Sequence, residues 1–214
     1  LLFTNLGNYL YLPVYDIPEV KWKELGKHIS NIISLSPEEK VINSIPVYNF
    51  DEERYITSFT KNGMIKRTLL NEFKVQRYSK PIKMMNLKGT DEVISVTDST
   101  LSNVFIATSN GYGLWYDINE VPVVGIKAAG VKAISLKDDY VVSGILFDVA
   151  CEYLTILTDK GTAKRMRLTE LEKTSRAKRG ILLMKTIKSN PSKIIKAYII
   201  NSKNQIGIVS DDYS

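Results

Sequence analysis

Carboxylates recur along this chain at a fixed spacing, and such groups serve general acid–base catalysis when two are held together. Asp16, Glu72, Glu120 and Glu170 each stand nine residues beyond a glycine, and an apolar residue follows each of them. Carried on four separate repeats, they would be too scattered to flank one scissile bond. A structural role in holding a turn is therefore expected. His28 is the sole histidine and Cys151 the sole cysteine. Neither lies in a nucleophile motif, and together they fall short of the roughly four ligands of a zinc site. No Gly-x-x-x-x-Gly-Lys-Ser/Thr phosphate loop occurs, so no ATP site is expected. Catalytic, metal-binding and cofactor-binding residues are all expected to be absent. One cysteine also excludes an internal disulfide and fits a reducing cytoplasm.

Neutralisation of a polyanion is the chemistry that the composition does favour. The chain holds 29 Lys and Arg against 23 Asp and Glu, a formal net charge of +6. Residues 160–203 alone contain 13 basic and 2 acidic residues, a local net of +11. The rest of the chain is mildly acidic. A single strongly positive segment reads as a binding face for a polyanion; a merely solvated lysine-rich surface is the competing explanation.

The elements that would position these charges are repeated. Thr-x-x-Gly occurs four times after a β-branched or aromatic run, at Thr4–Gly7, Thr60–Gly63, Thr108–Gly111 and Thr158–Gly161. The glycines are 56, 48 and 50 residues apart. A further glycine follows nineteen residues later in three copies, at Gly26, Gly130 and Gly180, while the second copy has Lys80-Pro81-Ile82 there. A fifth copy is expected to open at Ala197-Tyr198-Ile199-Ile200, with Ser210 and Tyr213 at its turn. Runs such as Tyr55–Phe59 and Met64–Leu69 favour strands. Asn62-Gly63 and Asn110-Gly111 predict two-residue type I′ hairpins. Helical periodicity is lacking. All-β units of about 50 residues predict radial repetition, a propeller-like array of four-stranded blades.

A chain of 214 residues, 44% hydrophobic and 24% charged, buries a core. It is read as one domain, residues 1–214, a fragment with about four repeats and the start of another. No apolar run reaches the ~18–20 residues that cross a bilayer, and no secretory leader is visible.

Phe3-Thr-Asn-Leu-Gly-Asn-Tyr-Leu10, Phe59-Thr-Lys-Asn-Gly-Met-Ile-Lys-Arg67 and Leu157-Thr-Asp-Lys-Gly-Thr-Ala-Lys-Arg165 resemble blade hairpins of the C-terminal domain of bacterial type IIA topoisomerase A subunits. Thr174-Ser-Arg-Ala-Lys-Arg-Gly180 and Ala128-Ala-Gly-Val-Lys132 resemble its connecting stretches. Within the family, Val20–Ile29 and Asn110–Tyr116 look more like Gram-positive topoisomerase IV than gyrase. The glutamine-, arginine- and glycine-rich box of gyrase is not found, and Arg176–Gly180 is its nearest echo.

The resemblance implies a β-pinwheel whose rim holds and bends duplex DNA. It implies a non-catalytic part of an ATP-dependent type II topoisomerase that presents DNA for strand passage in decatenation and supercoil relaxation. ATP and magnesium would be used elsewhere in the holoenzyme. The implied partners are duplex DNA, the rest of the A subunit, plus the ATPase B subunit in a heterotetramer. The implied setting is the bacterial cytoplasm, on the chromosome, with no membrane. Basic residues fall at two recurring offsets. The strand after the turn holds Lys66, Arg67, Lys164, Arg165 and Arg167; the loop before the later glycine holds Lys21, Lys23, Arg77, Lys80, Lys127, Arg176, Lys178 and Arg179, and Lys132 is a further candidate just past Gly130. These residues are expected to neutralise phosphates without reading bases. Alternatives are the corresponding gyrase domain, or a propeller that docks a protein through an exposed apolar patch. Trp22, Trp115 and Tyr116 are expected in the core or between blades.

Overall fold

In the computed structural model, which describes residues 1–185, 187 and 189–208, every Thr-x-x-Gly quartet closes a β-hairpin. The first repeat supplies β1 (Leu2–Thr4), β2 (Asn8–Leu10) and β3 (Val41–Ser44). The second supplies β4 (Tyr55–Thr60), β5 (Met64–Leu69), β6 (Ile82–Lys83) and β7 (Val93–Thr97). The third contains β8 (Asn103–Thr108), β9 (Tyr112–Asp117), β10 (Val131–Lys132) and β11 (Val141–Phe147). The fourth contains β12 (Tyr153–Thr158), β13 (Ala163–Arg167), β14 (Ile181–Leu182) and β15 (Ile194–Ile200). Apart from short 3-10 turns the described residues are all-β, and no helix among them is long and apolar enough to cross a membrane.

The hairpin turns differ from the expected type I′. Gly63 has φ +81 and Gly111 φ +93, but neither Asn62 nor Asn110 has positive φ. Gly63 N donates to Thr60 O at 3.1 Å, and Phe59 faces Ile65, which leaves a three-residue loop. This is a type I turn closed by a glycine bulge. The threonine explains the choice. Its buried Oγ1 accepts the N–H that follows the glycine, from Met64 at 3.1 Å and from Tyr112 to Thr108 at 3.1 Å. Asn8 to Thr4 and Thr162 to Thr158 repeat the bond at 3.3 Å. Asp91 and Asp139 hold the same turns from outside, accepting from Asn62 N and Asn110 N.

Three sheets have four strands, in the orders β3-β1-β2-β6, β10-β5-β4-β7 and β11-β8-β9-β14. The hairpin and long third strand of each come from one repeat, and the short outer strand comes from the next. The fourth sheet, β13-β12-β15, has three strands among the described residues. The sequence expectation of four strands per blade holds where a following repeat lends its strand, and no fifth lending segment is described. Ala197–Ile200, expected to open a fifth repeat, instead lies in β15 and pairs with β12. Ser210 and Tyr213, expected at the fifth turn, lie outside the described residues.

One apolar core fills each gap between neighbouring blades. Strand β8 shows how: Val104 and Ile106 join Phe59 and Ile65 of the second blade, whereas Phe105 and Ala107 join Leu154 and Ile156 of the fourth. Alternate residues thus face opposite neighbours, so every residue of this strand is buried. The first and second blades meet through Phe3, Tyr9, Ile56 and Phe73.

Candidate nucleic-acid interface

The short lent strands force a loop of each repeat to cross onto the preceding blade. In the third repeat Val124 N donates to Arg67 O at 2.9 Å. In the fourth, Thr174 N donates to Trp115 O at 2.8 Å. Each crossing ends at the later glycine. A Cβ on Gly130 would stand 2.4 Å from Ile65 O, and one on Gly180 would stand 2.1 Å from Gly113 O. Both glycines have φ near +80°, so two requirements exclude a side chain there. Gly26, at the same offset, meets nothing within 4 Å.

Two of the four recurring acids, Glu72 and Glu120, fasten these loops, which corrects for them the expectation of holding their own turn. Glu72 Oε2 accepts from Ile126 N at 3.2 Å, and Glu120 Oε2 accepts from Arg176 N at 2.7 Å. Each carboxylate therefore grips the loop of the following repeat.

The fourth crossing loop collects the densest group of predicted cations. Arg176 donates through Nε to Glu120 O at 2.9 Å and through Nη1 to Lys132 O. Much of its guanidinium is thus committed to holding the loop. Ala177 N donates to Ala133 O, and Ser135 N to Lys178 O. These bonds place the fourth crossing loop beside the segment that follows β10, with Lys132 next to Arg176. Lys178 and Arg179 are left exposed. Arg179 lies over the Tyr112 ring, its Cζ 4.1 Å from the centroid. Lys132 is also exposed, and its Nζ donates to Ser135 Oγ at 3.3 Å.

The hairpin cations divide into two kinds. Lys66 contradicts the expectation of phosphate contact: it is 1% exposed, and its Nζ donates to the backbone carbonyls of Met84 and Ile126. Burial lowers its pKa to about 8, against which Glu72 raises it. It is a clasp between the second and third repeats, because the third crossing loop closes over the strand that carries it. Lys164, its counterpart, is exposed and donates to Leu183 O at 2.8 Å. Arg67 is half-buried on the Tyr55 ring at 4.0 Å, and exposed Arg165 lies over Tyr153 at 4.4 Å. Arg167 is exposed at the end of β13. Sequence reasoning missed the tyrosines, although Tyr55 and Tyr153 both stand eight residues before a turn glycine.

The remaining candidates are exposed but spread out. Arg77 and Lys80 lie on the second crossing loop, Lys127 on the third, and Lys21 and Lys23 on the equivalent stretch of the first repeat. Trp22 between them is 98% exposed, with Val14, Tyr15 and Leu25 exposed near it in sequence; the described residues include no blade before the first for this stretch to cross onto. Counterparts of Trp22 in later repeats (Tyr78, Ile126 and Arg176) all contact a preceding blade. Trp115 and Tyr116 do pack between blades, Trp115 against Phe147 at 5.4 Å.

Comparison with known proteins agrees with this architecture. The chain is 47% identical over 200 residues to the DNA topoisomerase 4 A subunit of Bacillus subtilis (strain 168), covering 92% of this chain and 25% of the relative. It is 38% identical to the DNA topoisomerase 4 A subunit of Staphylococcus epidermidis, covering 98% of this chain and 26% of the relative. The chain thus spans about a quarter of the length of these curated relatives. Among solved structures, the C-terminal domain of DNA topoisomerase IV superposes with a TM-score of 0.91 at 45% identity, over 94% of this chain and 62% of that one. The E. coli ParC C-terminal domain, at 17% identity over 94% of this chain and 80% of that one, shares the fold with a TM-score of 0.73. The model of the DNA gyrase C-terminal domain, beta-propeller, matches residues 1–47, 54–97, 102–147 and 152–201, one segment per repeat. The chain belongs to that family.

Proposed function

We propose that this chain is the non-catalytic DNA-holding domain of a topoisomerase IV A subunit. It binds duplex DNA through phosphate contacts, bends it across neighbouring blades and presents it for strand passage by the rest of the enzyme. The partners in this reading are the remainder of the A subunit, together with an ATPase B subunit. The observation that carries it is the fourth crossing loop, fastened by Glu120 so that Lys178 and Arg179 stay exposed beside Lys132. Fixed cations on successive blades suit a smooth, sequence-tolerant contact better than base readout.

The rival reading is a propeller that docks a protein in place of a duplex. Salt titrations on unrelated duplexes separate the two. Phosphate neutralisation gives affinity that falls with a log–log slope of roughly −0.9 per phosphate, whatever the sequence. Replacing Lys178 and Arg179 with alanine should weaken binding equally for all duplexes and flatten the slope. Arg176 is better left intact, because it fastens the loop. Affinity that is indifferent to salt overturns the duplex reading.

A further inference from the structure

Two of the hairpin arginines lie over tyrosine rings by the same cross-strand geometry. Thr57 faces Arg67 across the second hairpin, and Tyr55 lies two residues along the same strand, so it shares that face. Thr155, Arg165 and Tyr153 repeat the arrangement in the fourth hairpin. Diagonal neighbours of this kind are within reach of aromatic and long side chains. The third hairpin keeps the diagonal with different partners, Trp115 Nε1 donating to Asn103 Oδ1 at 3.0 Å. The position thus holds a planar group against its diagonal partner in each of these three hairpins, and in two of them that group is a cation.

We propose that Tyr153 and Tyr55 are positioning residues that hold the Arg165 and Arg67 guanidinium groups ready for a duplex phosphate. The proposal rests on the duplex reading above and deepens it. A guanidinium stacked on a ring spends only its face on the contact. Its N–H donors lie in the plane and remain free at the edge, in the fork that matches two phosphate oxygens. Neither Arg67, half-buried beside the following repeat, nor Arg165, between Lys164 and Arg167 on β13, makes an ion pair among the described residues. A carboxylate would compete with phosphate for the same fork, whereas a tyrosine ring does not. The stack also removes rotamers that a free arginine would have to give up on binding. Arg179 over Tyr112 has the same composition on a crossing loop, so the device is not confined to the hairpins.

The test is a double-mutant cycle on the full chain, read by salt-resolved titration of a short mixed-sequence duplex. Tyr153→Leu should weaken binding about two- to fivefold, the range for an exposed cation–ring contact. Tyr153→Phe keeps the ring and should bind like the parent. Arg165→Met should weaken binding at least as much as Tyr153→Leu, and adding Tyr153→Leu to Arg165→Met should have no further effect. Tyr153→Thr, which favours a strand, serves as a second ringless variant if the leucine protein does not fold. Parent-like affinity of folded ringless variants, with Arg165→Met weakened, overturns the positioning role and leaves the duplex reading standing. A ringless effect that persists undiminished in Arg165→Met also overturns it, since the ring would then act without the arginine. Absence of salt-dependent binding by the parent chain defeats the duplex reading itself.

Discussion

Three glycines separate the two reasons for which a crossing loop excludes a side chain. Gly180 has φ +83, and a Cβ there would lie 2.1 Å from Gly113 O. Gly161 has φ +70 with nothing within 4 Å of such a Cβ. Gly26 has neither positive φ nor a neighbour within 4 Å. A left-handed alanine costs about 1 kcal/mol relative to glycine. Gly161→Ala should therefore destabilise the chain by about that amount. In Gly180→Ala the obstructing atom is backbone of β9, held between β8 and β14, so it cannot swing aside as a side chain would. The loop must lift, giving up bonds such as Ser135 N to Lys178 O, each contributing about 1 kcal/mol. The total loss should reach about 3–4 kcal/mol. Gly26→Ala should stay within about 0.5 kcal/mol. In thermal melts, about 2–4 °C per kcal/mol for a chain of this size, the expected order is a drop near 10 °C, a drop near 3 °C and no change. Equal losses for Gly180→Ala and Gly161→Ala would refute the argument that close backbone contact, and not φ alone, selects the later glycine.

Three further substitutions have defined expected outcomes. Lys66→Met should leave duplex affinity and its salt slope unchanged in paired titrations, because the buried Nζ meets no solvent. The folded pKa of Lys66, about 8, lies below its unfolded value of 10.5, so between those values the unfolded chain binds more protons. Stability of the parent relative to Lys66→Met should accordingly rise with pH from 8 to 10.5, by on the order of 1–3 kcal/mol in urea melts. Thr108→Val keeps the side-chain shape but removes the acceptor for Tyr112 N; a loss of about 1 kcal/mol in the same melts is expected. Ala177 is a non-glycine residue at φ +65, and Ala177→Gly should stabilise the chain by about 0.5 kcal/mol after the added freedom of the unfolded state is subtracted.

The local rules of the repeat were legible in the residues themselves. A period of 48–56 residues, strand-forming runs and turn glycines are properties of short stretches, and they specify hairpins wherever they occur. They were enough for the all-β class, the radial array and a family resemblance carried by the order of the motifs. The turn type was misread because Asn62-Gly63 is a strong pair signal, whereas the deciding bond comes from the hydroxyl of Thr60, outside the pair.

Which cations remain free was decided only by tertiary structure. Lys66 is buried because its Nζ reaches Ile126 O of the following repeat, a partner 60 residues further on. Glu72 and Glu120 are spaced as if to serve their own turns, but their partners lie 54 and 56 residues further on. The lending of β6, β10 and β14 to the preceding sheets brings these distant partners together. Sequence periodicity records what each repeat contains and is silent on which neighbour covers it. Burial and hydrogen-bond satisfaction depend on that neighbour, so they are set by contacts between repeats, where no local pattern reaches.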